Sequence, residues 1–156
     1  MRHNAKLPTW LKPANRVIVA LQRLGIAIGT MHVLSVVGRK SGKLHSTPVW
    51  PLTVGGQRYI IGGLAEADWV KNARAAGWGY LRRGRKRERV ALVELPVAER
   101  GPILRAFPRK VPHSIPFFQQ VYELPKDPAA LPEAFTALAP CCPVFRIDAL
   151  PMADER

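Results

Sequence analysis

Hydrophobic and polar residues in the middle of this chain group into short runs typical of β-strands. They predict four or five strands in succession, and one more near the C-terminus. The predicted strands are His32–Val37, His45–Val54, Arg58–Leu64, Trp78–Arg82, Glu88–Leu95 and Val144–Asp148. Gly55-Gly56 and the segment Arg83–Lys86, which contains Gly84, predict two tight hairpin turns.

Apolar residues recur at helical spacing in other segments. A pattern from about Asn15 to Ile28 predicts an amphipathic helix, which packs on its own domain or lies on a membrane surface. Ala67–Ala76 predicts a helix between the third and fourth strands, with Asp68 as a candidate cap and Gly77 as its end. Further helices are predicted at Pro96–Phe107, Ser114–Tyr122 and Glu133–Leu138.

This order of elements indicates an α+β fold. An antiparallel series of strands with one inserted helix, and with further helices outside it, suggests a small barrel or a strongly curved sheet. The 156 residues are enough for one domain with a substantial core. We expect an arm at residues 1–14, a single domain at residues 15–150 and a tail at residues 151–156.

The chain carries a formal net charge of +13 at pH 7, so nucleic acid, anionic lipid and an anionic cofactor would all be attracted to it. The basic run from Arg82 to Arg89 is first interpreted as the solvated tip of a hairpin. It could also lend positive potential to an anionic ligand. Nucleic-acid binding is not expected, because few aromatic residues accompany these cations.

Cysteine usage and hydropathy indicate a cytoplasmic protein. Cys141 and Cys142 are the only cysteines, and a disulfide between neighbours is strained, so we expect free thiols in a reducing compartment. The pair lacks the spacing of a metal site, and no metal is expected. No segment approaches the roughly 20 apolar residues of a membrane span. No signal peptide is predicted, and a peripheral membrane contact stays open.

The segment Gly38–Gly42 places two cations and a hydroxyl between two glycines, directly after an apolar run. A strand that ends in such a turn can present backbone N–H groups and cationic side chains to an anion, normally a phosphate. For this segment alone, a solvated hairpin is the alternative interpretation.

Several motifs, in this order, resemble the deazaflavin-dependent nitroreductase family, whose members are split β-barrels that bind coenzyme F(420). The motifs are Leu34–Gly42, Thr47-Pro48, the Gly55-Gly56 hairpin, Tyr59–Gly63 and Asp68–Ala75, and the resemblance covers roughly residues 15–95. It extends more loosely to the closing strand near the C-terminus. The resemblance implies a split barrel of the FMN-binding type, and an oxidoreductase that takes hydride from the reduced deazaflavin.

The resemblance also implies a cofactor site built from four segments. Its residues are Arg39, Lys40, Ser41, Gly42, His45, Ser46, Thr47, Pro48, Val49, Trp50, Gly62, Gly63, Leu64, Asp68, Trp69, Val70, Lys71 and Asn72. Arg39, Lys40 and Ser41 would hold the phosphate and the start of the oligoglutamate tail. Gly62 and Gly63 would let the backbone approach the deazaflavin edge, because they lack a Cβ atom.

Some of these positions depart from the family pattern or have other interpretations. His45 stands where the family often has arginine, which would weaken phosphate or tail binding because imidazole is mostly uncharged at neutral pH. The loop after the third predicted strand is short, and Glu66 replaces a basic residue there. Trp50 and Trp69 could instead be core residues, and Asn72 could simply cap or bridge the adjacent loop.

The resemblance implies reduction of a small organic acceptor of the quinone, nitroaromatic or activated-alkene type. Tyr122 and Ser114 are the candidates for the catalytic proton donor, with His113 as a further possibility. The neighbouring apolar residues Ile115, Phe117 and Phe118 would suit a flat acceptor.

Other functions stay open at this stage. The protein could hold a flavin or a deazaflavin without turnover, as a carrier. FMN could replace the deazaflavin, since split barrels bind both. The basic surface could also serve as an interaction module for nucleic acid or an acidic membrane. Either a monomer or a homodimer is compatible with the sequence.

Overall fold

The computed structural model describes residues 31–152. The predicted arm, the helix predicted from Asn15 and the last four residues of the predicted tail lie outside this range. The strands within it are β1 (His32–Val37), β2 (Leu44–Val49), β3 (Leu52–Val54), β4 (Gln57–Ile61), β5 (Trp78–Arg83), β6 (Lys86–Glu94) and β7 (Val144–Leu150). The helices are α1 (Asp68–Ala76), α2 (Gly101–Lys110), α3 (Ile115–Val121) and α4 (Leu131–Thr136), and short 3₁₀ turns lie at Val97–Glu99, Pro112–Ser114 and Pro128–Ala130.

The strands form one sheet in the order β2-β1-β5-β6-β7-β4-β3, with every neighbouring pair antiparallel. Its two edge strands are consecutive in the chain, separated only by Trp50-Pro51. Laid flat, the sheet would hold its edges ~29 Å apart, at ~4.8 Å per strand spacing. The three Cα steps from Val49 to Leu52 span at most ~11 Å. The sheet must therefore curl, and the predicted antiparallel barrel is confirmed.

The bend between β2 and β3 corrects the sequence analysis, which predicted one continuous strand at His45–Val54. Pro51 has no N–H to give to a ladder, and its ring restricts the backbone of Trp50, so the strand breaks there. The break carries the chain from one edge of the sheet to the other. The prediction of a strand at Arg58–Leu64 was also too long, because β4 ends at Ile61.

Turns and helix ends follow the glycines closely. Gly55 and Gly56 have φ values of 59° and 77°, both positive, as a two-residue type I′ hairpin requires. Gly77 ends α1 with φ of 75° and returns its N–H to the Ala73 carbonyl, as predicted. Ala67, and not Asp68, occupies the N-cap position of α1, and no side chain caps that end.

Two hydrophobic cores lie on opposite faces of the curled sheet. The inner core joins side chains such as Leu34, Ile60 and Phe145, contributed by strands on opposite sides of the barrel. Val70 and Ala73 of α1 complete it, so this helix closes one end of the barrel.

The outer core lies between the sheet and the helices that follow β6. Phe107 and Phe118 of α2 and α3 pack with Phe135 of α4, and the group rests against Leu52 and Val144 on the outer face. These helices therefore cover the outer face of the barrel around β3, β4 and β7.

The two ends of the barrel differ. The end closed by α1, called the α1 end here, carries the β1–β2 loop and the loop that follows β4. The opposite end, the hairpin end, carries the Gly55-Gly56 turn and the turn at Gly84-Arg85. No helix within residues 31–152 is long and apolar enough to span a membrane.

Candidate functional site

The loop that joins β1 to β2 is a closed turn and not an open hairpin. The Gly38 N–H donates to the Lys43 carbonyl at 2.8 Å, and the Gly42 N–H donates to the Gly38 carbonyl at 2.9 Å. Gly42 has a φ of 70°, a backbone conformation that residues with a side chain rarely adopt. The Lys43 N–H donates to the Ser41 hydroxyl oxygen at 3.2 Å. These bonds fix the loop that the sequence predicted to hold an anion.

His45 packs across this loop. A Cβ atom on Gly38 would lie 2.6 Å from His45 Nε2 and 2.7 Å from Ser41 Oγ, so a larger residue would displace both side chains. The same His45 nitrogen lies 3.0 Å from Ser41 Oγ, within hydrogen-bond distance. The His45 imidazole thus holds the Ser41 hydroxyl in the loop.

Arg39 ties the loop to α1. Its backbone N–H and its guanidinium both donate to Asn72 Oδ1, at 3.1 Å and 2.7 Å. The guanidinium also lies 3.4 Å from a carboxylate oxygen of Asp68, whose side chain is 89% exposed. Asn72 is buried, and it plays the bridging role that the sequence analysis considered as an alternative.

At the α1 end, the backbone N–H groups of Lys40 and Ser41 in the loop have no acceptor within residues 31–152. The same holds for Asp68 and Trp69 in the first turn of the nine-residue helix α1. Cations also exceed carboxylates by two in this region, with Arg39, Lys40, Lys43 and Lys71 set against Glu66 and Asp68. The donors and charges suit an anionic ligand.

The residues predicted on β2 divide between the two faces of the sheet. Ser46 lies on the outer face, where its hydroxyl is 2.8 Å from that of Ser35. Thr47 pairs with Leu34 on the other face and is half-buried, whereas Pro48 and Val49 are buried. Because β2 is an edge strand, its second edge carries no strand partner within the described sheet.

Gly62 and Gly63 follow β4 and are enclosed by side chains. A Cβ atom on Gly62 would lie 2.9 Å from Val70 Cγ2, and one on Gly63 would lie 2.7 Å from Phe117 Cε1. The Gly62 N–H donates to the Pro143 carbonyl at 2.8 Å. Side chains of this protein therefore occupy part of the space that the two glycines leave, and the approach of the deazaflavin edge stays a prediction.

Three predicted site residues contribute their side chains to the cores. Val70 is fully buried, Leu64 is buried in the outer core, and Trp69 packs against Phe145 with ring centroids 5.8 Å apart. Trp69 thus contacts the inner core, which is the alternative that the sequence left open. Lys71 pairs with Glu66 at 2.9 Å. A ligand would meet this segment mainly through its backbone and its first turn.

The two predicted proton donors, Tyr122 and Ser114, each donate a hydrogen bond from the hydroxyl group to a backbone carbonyl. The buried Tyr122 hydroxyl donates to the Gly63 carbonyl at 2.6 Å, and the Ser114 hydroxyl donates to the Val111 carbonyl at 2.6 Å. Burial is the main reason that the pKa of Tyr122 is raised far above its ordinary value. To give a proton to a substrate, either hydroxyl would first have to break its bond.

His113 lies in a different position, on the surface beside Trp50. The two rings meet edge to face with centroids 5.4 Å apart, and the His113 residue is exposed while Trp50 is half-buried. Trp50, Ile115 and Phe117 are partly buried and pack against the outer core. This aromatic surface is where the fold brings the end of β2 and the start of α3 together.

The basic run lies at the hairpin end, away from the Gly38–Gly42 loop. Val33 of β1 pairs with Arg82 and Ser35 with Tyr80, so β5 carries the run away from the loop that follows β1. Trp78 and Tyr80 lie on the outer face of the sheet, and arginines stack on both. Arg87 lies 4.4 Å from the Tyr80 ring and Arg89 lies 4.9 Å from the Trp78 ring.

Sequence reasoning did not find two contacts around Gly63. The Pro143 carbonyl accepts the hydrogen bond from the Gly62 N–H, and the Phe117 ring lies against Gly63. The only available signal was the position of Pro143 directly before the last strand. Within residues 31–152, His, Cys, Asp and Glu side chains form no group of three that could hold a metal ion.

Comparison with solved structures identifies the architecture. A reductase dependent on reduced coenzyme F(420) (FDR-A) aligns over 76% of this chain and 94% of its own, with 18% identity and a TM-score of 0.51. A protein solved as a domain-swapped dimer aligns over 89% and 97%, with 17% identity and a TM-score of 0.54. The chain has a split β-barrel fold. A putative pyridoxamine 5′-phosphate oxidase from Listeria innocua aligns with this barrel over 87% and 93%, with 12% identity and a TM-score of 0.51.

No protein-family model matches the chain, and no curated protein matches it either. The identities to the solved structures are low, so these likenesses establish the split barrel and leave its chemistry to the residues of the site.

Proposed function

We propose that this split barrel is an oxidoreductase that uses the reduced 5-deazaflavin coenzyme F(420) to reduce a small organic acceptor. The observation that carries the proposal is the pair of hydrogen bonds from Arg39 to Asn72. They join two motifs that lie 33 residues apart in the sequence, so that the cationic loop and the first turn of α1 share one end of the barrel. The likeness of fold to a reductase dependent on reduced F(420) supports the choice of cofactor.

The α1 end fits the anionic part of this cofactor. Coenzyme F(420) carries a phosphate and an oligoglutamate tail, which need cations and N–H donors. Lys40 and Lys43 are exposed on the loop, and no carboxylate among residues 31–152 pairs with them. Arg39 is held in place by α1, so its side chain loses little conformational entropy when its charge binds an anion. Glu66 and Asp68 each face a cation of their own.

The acceptor would bind on the aromatic surface formed by Trp50, His113 and Phe117. When bound, the reduced deazaflavin supplies a hydride, and the acceptor also needs one proton to complete a two-electron reduction. Trp50 and Phe117 would bind a flat acceptor and exclude water from it. His113 is the exposed titratable group of this surface, and we place the proton supply there or at the predicted donors Tyr122 and Ser114.

The cofactor assignment is tested by titrating coenzyme F(420) and FMN, separately, into the wild-type protein, Lys40→Ala and Lys86→Ala. Lys86 is exposed at the hairpin end and serves as a control of equal charge. We expect tighter binding of F(420) than of FMN, and a loss on the order of tenfold for Lys40→Ala, because a charged hydrogen bond to the anion is removed. Equal affinity for both cofactors, or equal losses in both variants, would contradict the proposal.

Turnover separates an enzyme from a carrier, the other function that the same site could serve. Reduced F(420) should be oxidised by a quinone, a nitroaromatic or an activated alkene only when the protein is present. Binding without any such oxidation would favour the carrier. The oligomeric state is measured on the same sample by light scattering, since a monomer and a homodimer are both predicted and one structural neighbour was solved as a dimer.

A further inference from the structure

At the hairpin end of the barrel, β5 and β6 continue past the strands that flank them. They pair with each other as far as Arg83 and Lys86, which face each other across a tight turn. The described pairing of β5 with β1 ends at Arg82, and that of β6 with β7 ends at Arg89. Beyond these residues the sheet is a ribbon of two strands within residues 31–152, about 10 Å long. The segment Arg82–Arg87 is called the cationic ribbon here.

Like charges face each other on the cationic ribbon. Arg82 lies opposite Arg87, and Arg83 lies opposite Lys86. Because successive residues of a strand point to opposite faces, each face of the ribbon carries one of these pairs. Like charges directly opposite each other destabilise a strand pair, so an anion that contacts both members of a pair would offset this cost. Arg85 in the turn is the fifth cation of the ribbon.

The tip of the ribbon presents its charge to the solvent. The residues Arg83, Arg85 and Lys86 are exposed. No carboxylate among residues 31–152 forms an ion pair with Arg82, Arg85 or Lys86. Glu88, the carboxylate that follows the ribbon, pairs with an arginine of β4 at 2.5 Å. The charges of these three cations are therefore not compensated within the described part of the chain.

The geometry favours duplex DNA over other polyanions. Cations on both faces match a groove that has a phosphate backbone on each side, and the major groove of B-form DNA admits a two-stranded ribbon. The Tyr80 and Trp78 rings already carry the guanidinium groups of Arg87 and Arg89, at 4.4 Å and 4.9 Å. Neither ring therefore offers a stacking surface to the unpaired bases of a single strand.

An acidic membrane suits this ribbon less well. Peripheral membrane segments combine cations with apolar side chains that enter the lipid. The large apolar residues that are exposed in the described range are Leu44, Val93, Val97 and Met152, and all four lie outside the ribbon. The ribbon can thus attract an anionic surface but has no exposed large apolar side chain to insert into it.

We propose that the cationic ribbon binds double-stranded DNA through the phosphates, without reading the base sequence. The scarcity of aromatic residues weighs against stacking of bases, but phosphate contacts do not require aromatic residues. The ribbon lies at the opposite end of the barrel from the Gly38–Gly42 loop, so the inference goes beyond the proposed function and does not depend on it. One phosphate contact for each of the five cations would give a slope of log K against log salt concentration of about −4.5.

The test measures binding of a short labelled DNA duplex of mixed sequence by fluorescence anisotropy, over a series of salt concentrations. It compares the wild type with the double variant Arg85→Ala/Lys86→Ala. The control is Arg109→Ala/Lys110→Ala, which removes the same two residue types from exposed positions in the last turn of α2. Circular dichroism confirms that each variant is folded.

We expect the ribbon variant to bind the duplex on the order of thirtyfold more weakly at about 0.15 M salt, since each phosphate contact contributes about fivefold there. The magnitude of the salt slope should fall by about 2. The control lowers the net charge equally and should stay within about threefold of the wild type, because salt screens distant charges. Absence of duplex binding, or equal losses in the two variants, would overturn the proposal.

The same variants separate the other possible partners. Tighter binding of the matching single strand than of the duplex would overturn the proposal. So would ribbon-dependent binding to vesicles of phosphatidylcholine and phosphatidylserine without binding to DNA. Titration with coenzyme F(420) should give the ribbon variant the affinity of the wild type. A loss of cofactor affinity with DNA affinity retained would assign the ribbon to the oligoglutamate tail instead, and would also overturn the proposal.

Discussion

Asn72 accepts two hydrogen bonds from Arg39 through a single oxygen, one from the backbone N–H at 3.1 Å and one from the guanidinium at 2.7 Å. Asn72 is buried, and both bonds are partly buried at the α1 end. One side chain thus holds both the backbone and the charge of the cationic loop.

Replacing Asn72 by alanine should destabilise the fold. The variant removes the acceptor of two donors at a buried position, and we expect the free energy of unfolding to fall by about 1–3 kcal/mol. Urea denaturation followed by circular dichroism measures the change. Asp68→Ala removes the exposed partner of the same arginine and should cost less than about 1 kcal/mol. Equal losses in the two variants would show that the amide has no special role.

Gly79 should not tolerate a side chain. It lies on β5, where a Cβ atom would come within 2.8 Å of the Ser35 carbonyl oxygen, and a strand backbone cannot move aside as a side-chain tip can. We expect Gly79→Ala to destabilise the protein by about 3 kcal/mol, the upper end for an overpacked site. Gly101→Ala is the matched control, since its Cβ would meet Thr136 at an ordinary 3.5 Å. A stability loss in the control as large as in Gly79→Ala would contradict this explanation.

Glu94 should make stability sensitive to acid. It bridges Arg74, at 2.7 Å and 2.8 Å, and the buried Arg100, at 3.2 Å. The hydrogen bond from Arg74 is the main cause that lowers the pKa of Glu94 below its ordinary value of 4.5. The folded protein therefore binds a proton at Glu94 less readily than the unfolded chain does.

It follows that the ion pairs of Glu94 stabilise the protein fully above pH 4.5, and that this stabilisation is lost as the pH falls through the lowered pKa. Urea denaturation of the wild type and Glu94→Gln at a series of pH values measures the effect. The stability difference between them should be constant near neutrality and shrink in acid. Arg74→Met should weaken this dependence, and an unchanged profile in that variant would refute the assigned cause.

The two adjacent cysteines should differ in reactivity. Burial raises the pKa of Cys142 to about 12, whereas Cys141 is half-buried. Thiolates and not thiols react with alkylating reagents, so at about pH 8 we expect Cys142 to be modified only after unfolding. Mass spectrometry of Cys141→Ser and Cys142→Ser, labelled with iodoacetamide with and without urea, gives the two rates. Rapid labelling of Cys142 in the folded protein would disprove the assignment.

Much of the split barrel could be predicted from the sequence, because the signals are local. Short apolar runs mark the strands, and the Gly55-Gly56 pair marks a turn with two positive φ values. Gly77 ends α1 for the same reason, since glycine enters the left-handed region at little cost. The order of the motifs also indicated which segments belong to the candidate cofactor site, and the structure brings the Gly38–Gly42 loop and α1 together.

The remaining features depend on residues that are far apart in the chain, and no local pattern encodes them. The break at Trp50-Pro51 was missed because the apolar run passes through it, and only the need to close the barrel gives the bend its meaning. Tyr122 and its hydrogen-bond partner Gly63 are 59 residues apart in the chain, and Arg39 and its partner Asn72 are 33 residues apart. Strand register and side-chain direction select such pairs, and both are decided only when the sheet closes on itself.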